Sequence, residues 1–141
     1  MDISYYLIKP EAITFSNEIR KIISSSGLVI TKFKTVKIPT QIINVLYCGI
    51  SKDKIEATEH FMCESISEVG IVEGPKVIEK LVEICGMQTN PNLCKVGTIR
   101  QMYGVKEIQF FNRISYFQNA IHTPRSKLER DKSFSFIEDL F

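Results

Sequence analysis

Residues 3–10 read ISYYLIKP and predict the first strand of a sheet. Residues 3–8 are rich in β-branched and aromatic side chains, which favour an extended and buried segment. Proline has no backbone N–H to donate to a neighbouring strand, so Pro10 ends the strand after Lys9. The stretch therefore predicts a buried strand with the side chain of Lys9 at its end.

Helical and extended signals alternate along the rest of the chain. Ser16 is a favourable N-cap, and isoleucines recur at helical spacing before Gly27. Residues 27–38, GLVITKFKTVKI, are β-branched and predict a second strand that Pro39 closes. Further predicted elements are a helix at 40–48, a helix capped by Asp53, a strand at 69–72, a helix that Gly74-Pro75 opens and Gly86 stops, a strand at 114–121 and a short helix from about Ser126.

This order of elements indicates an α+β fold. Strand, helix, strand, helices, strand, helix and strand describe a ferredoxin-like α/β sandwich. We therefore expect a mainly antiparallel four-stranded sheet with helices packed on it, over one face. The chain of 141 residues has the size of one domain, so residues 1–141 are predicted to form a single domain.

The composition is that of an ordinary globular protein. Hydrophobic residues make up 44% and charged residues 24% of the chain, and no apolar run approaches the roughly 18 residues of a membrane span. Residues 1–12 show no signal-peptide pattern, so we expect a soluble, cytoplasmic protein without a membrane segment. A net charge of +2 gives no clear indication of nucleic-acid binding.

Four cysteines stand at positions 48, 63, 85 and 94. They include no C-x-x-C pair, and their spacing is typical of neither a zinc site nor a disulfide scaffold. We therefore expect reduced and mostly buried thiols, and no metal site formed by the side chains of the protein.

Several different short polar motifs lie along the chain, and each has an ordinary structural explanation when it is taken alone. Lys9 would be a solvated strand end, and His122 a structural histidine at the end of the predicted fourth strand. Taken together, the motifs resemble the nucleoside diphosphate kinase family in order and spacing. The resemblance covers almost the whole chain and rests on Ile8-Lys9-Pro10-Glu11, Glu73-Gly74, Thr89-Asn90-Pro91, Gly97-Thr98-Ile99-Arg100 and Asn119-Ala120-Ile121-His122.

The resemblance implies an enzyme that moves a γ-phosphoryl group from a nucleoside triphosphate to a nucleoside diphosphate through a phosphohistidine at His122. A neutral imidazole can attack phosphorus and later release the group. The transfer spreads negative charge over the phosphoryl oxygens, which cations and hydrogen-bond donors must surround. The nucleotide would arrive as a magnesium complex, with Mg²⁺ held mainly by the phosphates.

The same resemblance assigns other residues to the nucleotide. Lys9 and Arg100 would supply positive charge, and Thr89 would supply a hydrogen-bond donor. Asn119 would bond the ribose 3′-hydroxyl. Tyr47 would line the pocket beside the histidine.

The chain departs from the family's pattern at the groups that support its histidine and its phosphates. A second arginine before the T-N-P motif is replaced by Glu83, or by Val82 if the register shifts by one residue. Pro124 replaces a serine that supports the ring, and Ser133 stands where an orienting glutamate is expected. A ring without its orienting partners transfers more slowly, so these losses indicate reduced activity.

Two cations are candidates to compensate for these losses. Arg125 replaces a carboxylate after the histidine, and we hypothesise that its charge substitutes for the lost arginine. By the same resemblance, Lys54 would take the place of an arginine that binds phosphate in the family. The segment around it, residues 52–56, lacks the aromatic residue that stacks on the base in the family.

Residues 101–117 form an enlarged insert before the histidine strand. The insert carries the aromatic residues Phe110, Phe111, Tyr116 and Phe117. These side chains predict either a strand that pairs in the core or a surface for another chain. In the second case the protein would form a homo-oligomer or join a larger assembly through the insert.

Three functions remain open at this point. The first is a nucleoside diphosphate kinase whose partners are nucleoside di- and triphosphates. The second is a relative that binds nucleotides but transfers phosphoryl groups weakly or not at all. The third is an interaction or structural module in a larger assembly. Retention of His122, Lys9 and Arg100 favours the first, and loss of the supporting groups favours the second.

Overall fold

The structure is a computed structural model, and it describes residues 2–141. Its strands are β1 (Asp2–Ile8), β2 (Val29–Lys37), β3 (Ile66–Gly74), β4 (Gln109–Phe111), β5 (Ile114–Tyr116) and β6 (Ile121–His122). Its α-helices are α1 (Ser16–Ser25), α2 (Ile43–Leu46), α3 (Lys52–Cys63), α4 (Val77–Cys85), α5 (Ile99–Tyr103) and α6 (Lys127–Glu138). None of these helices is long and apolar enough to cross a membrane.

The main sheet is antiparallel and has the strand order β2-β3-β1-β6. Strand β1 lies inside the sheet, where it pairs with β3 from Asp2↔Gly74 to Ile8↔Glu68. On its other side it pairs with β6 through Leu7↔His122 and Ile8↔Ile121. The predicted α+β fold with an antiparallel four-stranded sheet is therefore confirmed.

Helices cover both faces of this sheet, whereas the sequence analysis placed them over one. On one face Tyr6 and Ile8 of β1 pack with side chains of α1 and α4. On the other face Tyr5 and Leu7 pack with side chains of α2, α3 and α6. Successive strand residues point to opposite faces, and both faces are buried, so β1 is apolar almost throughout instead of alternating with polar residues.

The fourth strand predicted at 114–121 is wrong in its extent. Only Ile121 and His122 join the main sheet, while β5 pairs with β4 in a separate hairpin. Asn112 and Arg113, between β4 and β5, both have positive φ values, of 49° and 68°. Two such residues in succession make the tight turn that joins antiparallel strands, so the insert folds back on itself.

Several element ends also differ from the predictions. Strand β3 extends over Ile66–Gly74, well beyond residues 69–72. The cap of α3 is Ser51, whose side chain accepts from the N–H of Lys54, instead of Asp53. Ser16 is the first residue of α1 and does not cap it with its side chain. Ser126 caps α6 as expected, with its side chain accepting from the N–H of Glu129.

The insert packs its aromatic residues mainly against the protein itself. Phe61 of α3 stacks on Tyr116 with ring centroids 4.7 Å apart, and His60 stacks on Phe111 at 4.3 Å. Phe110 points away and is 62% exposed. The hairpin is therefore an extension of the core beside α3.

The four cysteines are free thiols, and all but Cys48 are buried. Burial raises the pKa of the Cys63 thiol to about 11 and that of Cys85 to about 12. These two thiols are therefore protonated near neutral pH and pack as small apolar groups.

Candidate active site

A cavity of about 350 Å³ opens where the ends of β1 and β6 meet the hairpin and the loop after α4. It brings together every site residue named in the sequence analysis. These residues are Lys9, Tyr47, Lys54, Thr89, Arg100, Asn119, His122 and Arg125. Residues separated by more than a hundred positions in sequence meet here because β1 and β6 are neighbours in the sheet.

His122 ends β6 and lies opposite Leu7 of β1. Its ring lies between two tyrosines, with the centroid of Tyr47 at 4.6 Å and that of Tyr5 at 6.2 Å. Burial, together with the positive charges of Lys9 and Arg100, lowers the pKa of His122 to about 3. The imidazole is therefore neutral at pH 7 and carries a free ring nitrogen.

The two nitrogens of this ring have different surroundings. Nε2 is buried and has no hydrogen-bond partner among residues 2–141. Ser133, where the sequence analysis placed the lost glutamate, bonds instead to the hydroxyl of Tyr5 at 2.7 Å and to Glu129 O at 2.8 Å. Packing against Tyr47 and Tyr5, without a hydrogen bond to Nε2, sets the pose of the ring.

The segment before His122 is held to the end of β1. Ala120 has a φ of 75°, an unusual value for a residue with a side chain. Its N–H donates to the Glu11 carboxylate at 3.0 Å, and its carbonyl accepts from the N–H of Lys9 at 2.8 Å. Glu11 therefore stabilises the strained turn that directly precedes His122 and positions it at the cavity. Glu11 belongs to the I-K-P-E motif, but nothing in the sequence indicated this role.

Lys9 is buried with its ammonium inside the cavity. Nζ donates to the hydroxyl of Tyr116 at 3.1 Å and lies 5.7 Å from the ring centroid of Tyr47. Burial lowers the pKa of Lys9 to about 8, with the charge of Arg100 acting in the same direction and that of Glu11 opposing it. Lys9 is therefore mostly charged at pH 7 and loses its charge at mildly alkaline pH.

Arg100 connects three parts of the site. Its Nε and Nη2 donate to Ile121 O at 3.2 and 3.0 Å, and its Nη1 donates to Gly86 O and Gln88 O at 3.3 and 3.1 Å. Four of the five N–H groups of the guanidinium are engaged in these bonds. Arg100 thus fixes the loop after α4 against β6 while its charge stays beside His122.

Asn119 and Thr89 form a second contact between the same segments. The side-chain amide of Asn119 donates to Thr89 O at 3.0 Å. Its Oδ1 is buried and has no donor among the described residues. Because an unpaired buried oxygen is costly, this atom is a natural acceptor for a hydroxyl of a bound molecule.

Lys54 and Arg125 complete the positive lining near the surface. Lys54 Nζ donates to Ser115 O at 2.6 Å and to Ser115 Oγ at 3.2 Å, which ties α3 to the hairpin. Arg125 Nη2 donates to Met87 O at 2.9 Å, and its backbone N–H donates to the Glu129 carboxylate at 2.6 Å. Both cations line the cavity, and their positive charges suit a chain of phosphates.

Residues 2–141 contain no cluster of three or more His, Cys, Asp or Glu side chains that could hold a metal ion. The cavity lining has four Lys and Arg side chains and one carboxylate, that of Glu129. Such a lining suits a polyanion whose own oxygens carry the metal, and it does not suit a cation bound by the protein alone.

A protein-family model described as nucleoside diphosphate kinase matches residues 2–139. The chain belongs to the nucleoside diphosphate kinase family. This membership and the fold support a nucleoside diphosphate kinase-like function. No curated protein matches the sequence.

Solved nucleoside diphosphate kinases have the same fold. The protein of Aquifex aeolicus is 19% identical with a TM-score of 0.80, over 96% of this chain and 94% of that chain. The protein of Encephalitozoon cuniculi is 21% identical with a TM-score of 0.80, over 100% and 92%. The protein of Borrelia burgdorferi, solved as a transition state mimic with bound vanadate and ADP, is 18% identical with a TM-score of 0.78, over 95% and 84%. At these identities the likeness shows the fold alone.

The cavity also has lining residues that were not predicted from the sequence. Tyr116 and Phe117 come from the insert, and Glu129 comes from α6. Glu83 and Val82, the two candidates for the position of the second arginine, lie on α4 and do not line the cavity. The place of Glu11 in the I-K-P-E motif could have indicated that it has a role near the site. No motif includes Tyr116, so its place in the cavity had no signal in the sequence.

Proposed function

We propose that this protein transfers a γ-phosphoryl group between nucleotides through a phosphohistidine at His122. The observation that carries the proposal is a neutral imidazole in a cavity lined by Lys9, Lys54, Arg100 and Arg125. A neutral ring is nucleophilic, and cations around it stabilise the charge that develops on the phosphoryl oxygens. The family assignment supports the same reaction class.

The rest of the cavity suits a nucleotide that enters as its magnesium complex. Lys54 and Arg125 would hold the phosphates at the cavity mouth, with Thr89 as a further donor. The unpaired Oδ1 of Asn119 would accept from a ribose hydroxyl. Ile50 and Phe117 provide apolar lining against which a base can pack.

The transfer takes place in two steps, each a displacement at phosphorus. Because Nε2 is buried, Nδ1 is the nitrogen that attacks: its lone pair forms the P–N bond while the bond from the γ-phosphorus to the bridging oxygen breaks. The diphosphate leaves with that electron pair, and Nε2 keeps its proton. A terminal oxygen of an acceptor diphosphate then attacks phosphorus, and the P–N electrons return to Nδ1.

A second candidate is a nucleotide-binding protein with weak transfer. The absence of a partner for Nε2 within residues 2–141 favours it. Attack makes the ring cationic, and no carboxylate receives the N–H of Nε2 to stabilise that charge. Assembly through the insert and a cytoplasmic location stay predictions.

Incubation with γ-³²P-labelled ATP and Mg²⁺ tests the proposal. We expect the wild type to acquire an acid-labile, alkali-stable label. His122→Gln should acquire none, because the nucleophile is lost. His60→Gln is the matched control, since His60 lies on α3 and does not line the cavity. Its label should equal that of the wild type.

Two results would count against transfer through His122. If the wild type binds ADP in calorimetry but takes no label, only nucleotide binding remains. If His122→Gln still takes an acid-labile label, another residue accepts the phosphoryl group.

A further inference from the structure

The insert brings a buried tyrosine into the cavity. Tyr116 is the last residue of β5 and is 8% exposed. Its ring stacks on Phe61 of α3, nearly parallel, with a 17° angle between the ring planes. The pairing of Tyr116 with Gln109 across the hairpin fixes its backbone as well. The position of its hydroxyl is therefore set by packing, whether or not a ligand is bound.

That hydroxyl is the hydrogen-bond partner of the Lys9 ammonium. The distance from Lys9 Nζ to the Tyr116 oxygen is 3.1 Å, and residues 2–141 offer Nζ no other hydrogen bond. The nearby Glu11 carboxylate accepts from the N–H of Ala120 through Oε2, and its buried Oε1 makes no hydrogen bond with Lys9 or with any other residue of 2–141. Lys9 has a long and flexible side chain, so a single fixed acceptor strongly influences where its charge lies.

The hydroxyl proton of Tyr116 is not engaged in the described structure. Its oxygen accepts from Lys9, and no side-chain or backbone acceptor within residues 2–141 receives its O–H. Burial raises the pKa of Tyr116 well above its ordinary value, so the hydroxyl stays protonated. Tyr116 and Lys9 therefore present two donors side by side in the cavity that holds His122.

From this geometry we infer that Tyr116 is a further active-site residue, which positions the Lys9 ammonium and donates its own hydroxyl proton to an oxygen of the transferred phosphoryl group. The inference rests on the proposed function and deepens it. It also gives the insert a chemical role, because a neutral donor from β5 adds to the cations around the phosphates.

Tyr116→Phe is the sharpest variant, because it keeps the ring that stacks on Phe61 and removes only the oxygen. The rate of labelling by γ-³²P-ATP in a single turnover should fall about ten- to a hundredfold, as expected for loss of hydrogen bonds to charged groups. Affinity for ADP, which lacks the transferred group, should stay close to the wild-type value. Tyr103→Phe is the control, because Tyr103 lies outside the cavity against Phe15.

The pKa of Lys9 gives a readout that does not depend on turnover. The Tyr116 oxygen stabilises the ammonium, so its removal should lower the pKa of Lys9 below the wild-type value of about 8. NMR of ¹³C-lysine-labelled protein measures this, with Lys9→Met as the assignment. A structural role alone would not move it, because the other titratable groups around Lys9 stay in place: Glu11, Tyr47, Arg100 and His122.

The outcomes separate this inference from the proposed function. If Tyr116→Phe labels at the wild-type rate and leaves the pKa of Lys9 unchanged, the inference is overturned and the proposed function stands. If the wild type binds ADP but takes no label, the proposed function fails, and the donation to a phosphoryl group fails with it. The pKa of Lys9 in Tyr116→Phe then decides whether Tyr116 still positions the ammonium.

Discussion

Among single residues, His122 has its charge state set by burial and its pose set by packing, without a hydrogen-bonded partner on Nε2. The ring is neutral because it is buried beside the charges of Lys9 and Arg100. Its pose depends on Tyr47 and Tyr5, since Nε2 has no partner among residues 2–141. Such a site keeps a nucleophile ready but offers less stabilisation once the ring becomes cationic.

The neutral state of His122 can be observed directly. We expect the imidazole signals of His122 in NMR to show no titration between pH 8 and pH 5, because its pKa is lowered to about 3. His60→Gln identifies the signals that remain as those of His122. A titration midpoint near 6.5, the ordinary value, would show that the ring is hydrated and not buried as described.

Because folding lowers the pKa of His122, this residue makes the free energy of unfolding depend on pH. In the unfolded chain the imidazole takes up a proton near pH 6.5, whereas in the folded protein it does so only near pH 3. The free energy of unfolding therefore falls as the pH drops below about 6.5. His122→Gln should show a shallower loss between pH 6.5 and pH 4 in urea unfolding, and an equal slope would contradict the lowered pKa.

The sequence predicted a set of site residues from their spacing along the chain, and these residues line one cavity in the structure. It could not locate Tyr116, whose role depends on a contact with Lys9 across 107 positions of sequence. Nor could the sequence show that most N–H groups of Arg100 donate to the backbone carbonyls of Gly86, Gln88 and Ile121. Such contacts follow from tertiary packing and leave no local pattern.

At the scale of elements, the hairpin β4–β5 forms one wall of the site. It is attached to α3 by two stacked aromatic pairs and by the hydrogen bonds from Lys54 to Ser115. The turn at Asn112 and Arg113 has the backbone of a tight hairpin but no glycine, so no local pattern indicated that β4 pairs with β5. The strand predicted at 114–121 spans β5 and β6, which belong to different sheets.

Phe111 should matter for the stability of this wall, and Phe110 should not. Phe111→Ala removes a half-buried ring that stacks on His60, so the free energy of unfolding should fall by about 2 kcal/mol. Phe110→Ala, its neighbour with 62% exposure, should change it by less than about 0.5 kcal/mol. Urea unfolding compares the two, and equal effects would mean that the hairpin does not pack on α3.

Strand β3 is longer than the predicted strand at 69–72 because polar residues lie within it. Ser67 and Glu68 are polar but fully or almost fully buried within it. Glu68 accepts from the hydroxyl of Tyr6 at 2.6 Å and pairs with Arg20, so its charge is satisfied inside the sheet. A polar residue with partners on distant elements looks like a strand end in sequence, although the strand continues through it.

At the scale of the whole molecule, the fold explains how the site assembles. Strand β1 is central and pairs with β6, so the end that carries Lys9 lies beside the strand that carries His122. The alternation of strands and helices predicted the antiparallel sheet, because element types are set by periodicity and by glycine and proline. The insert and the exact pairing of residues 114–122 depend on long-range packing and could not be predicted in the same way.

A chase experiment decides whether the proposed phosphohistidine passes its phosphoryl group on to a nucleotide. The wild type is labelled with γ-³²P-ATP, freed of nucleotide by gel filtration and mixed with unlabelled CDP and Mg²⁺. We expect the label to leave the protein and to appear in CTP. Label that stays on the protein, or that is released only as inorganic phosphate, would contradict it.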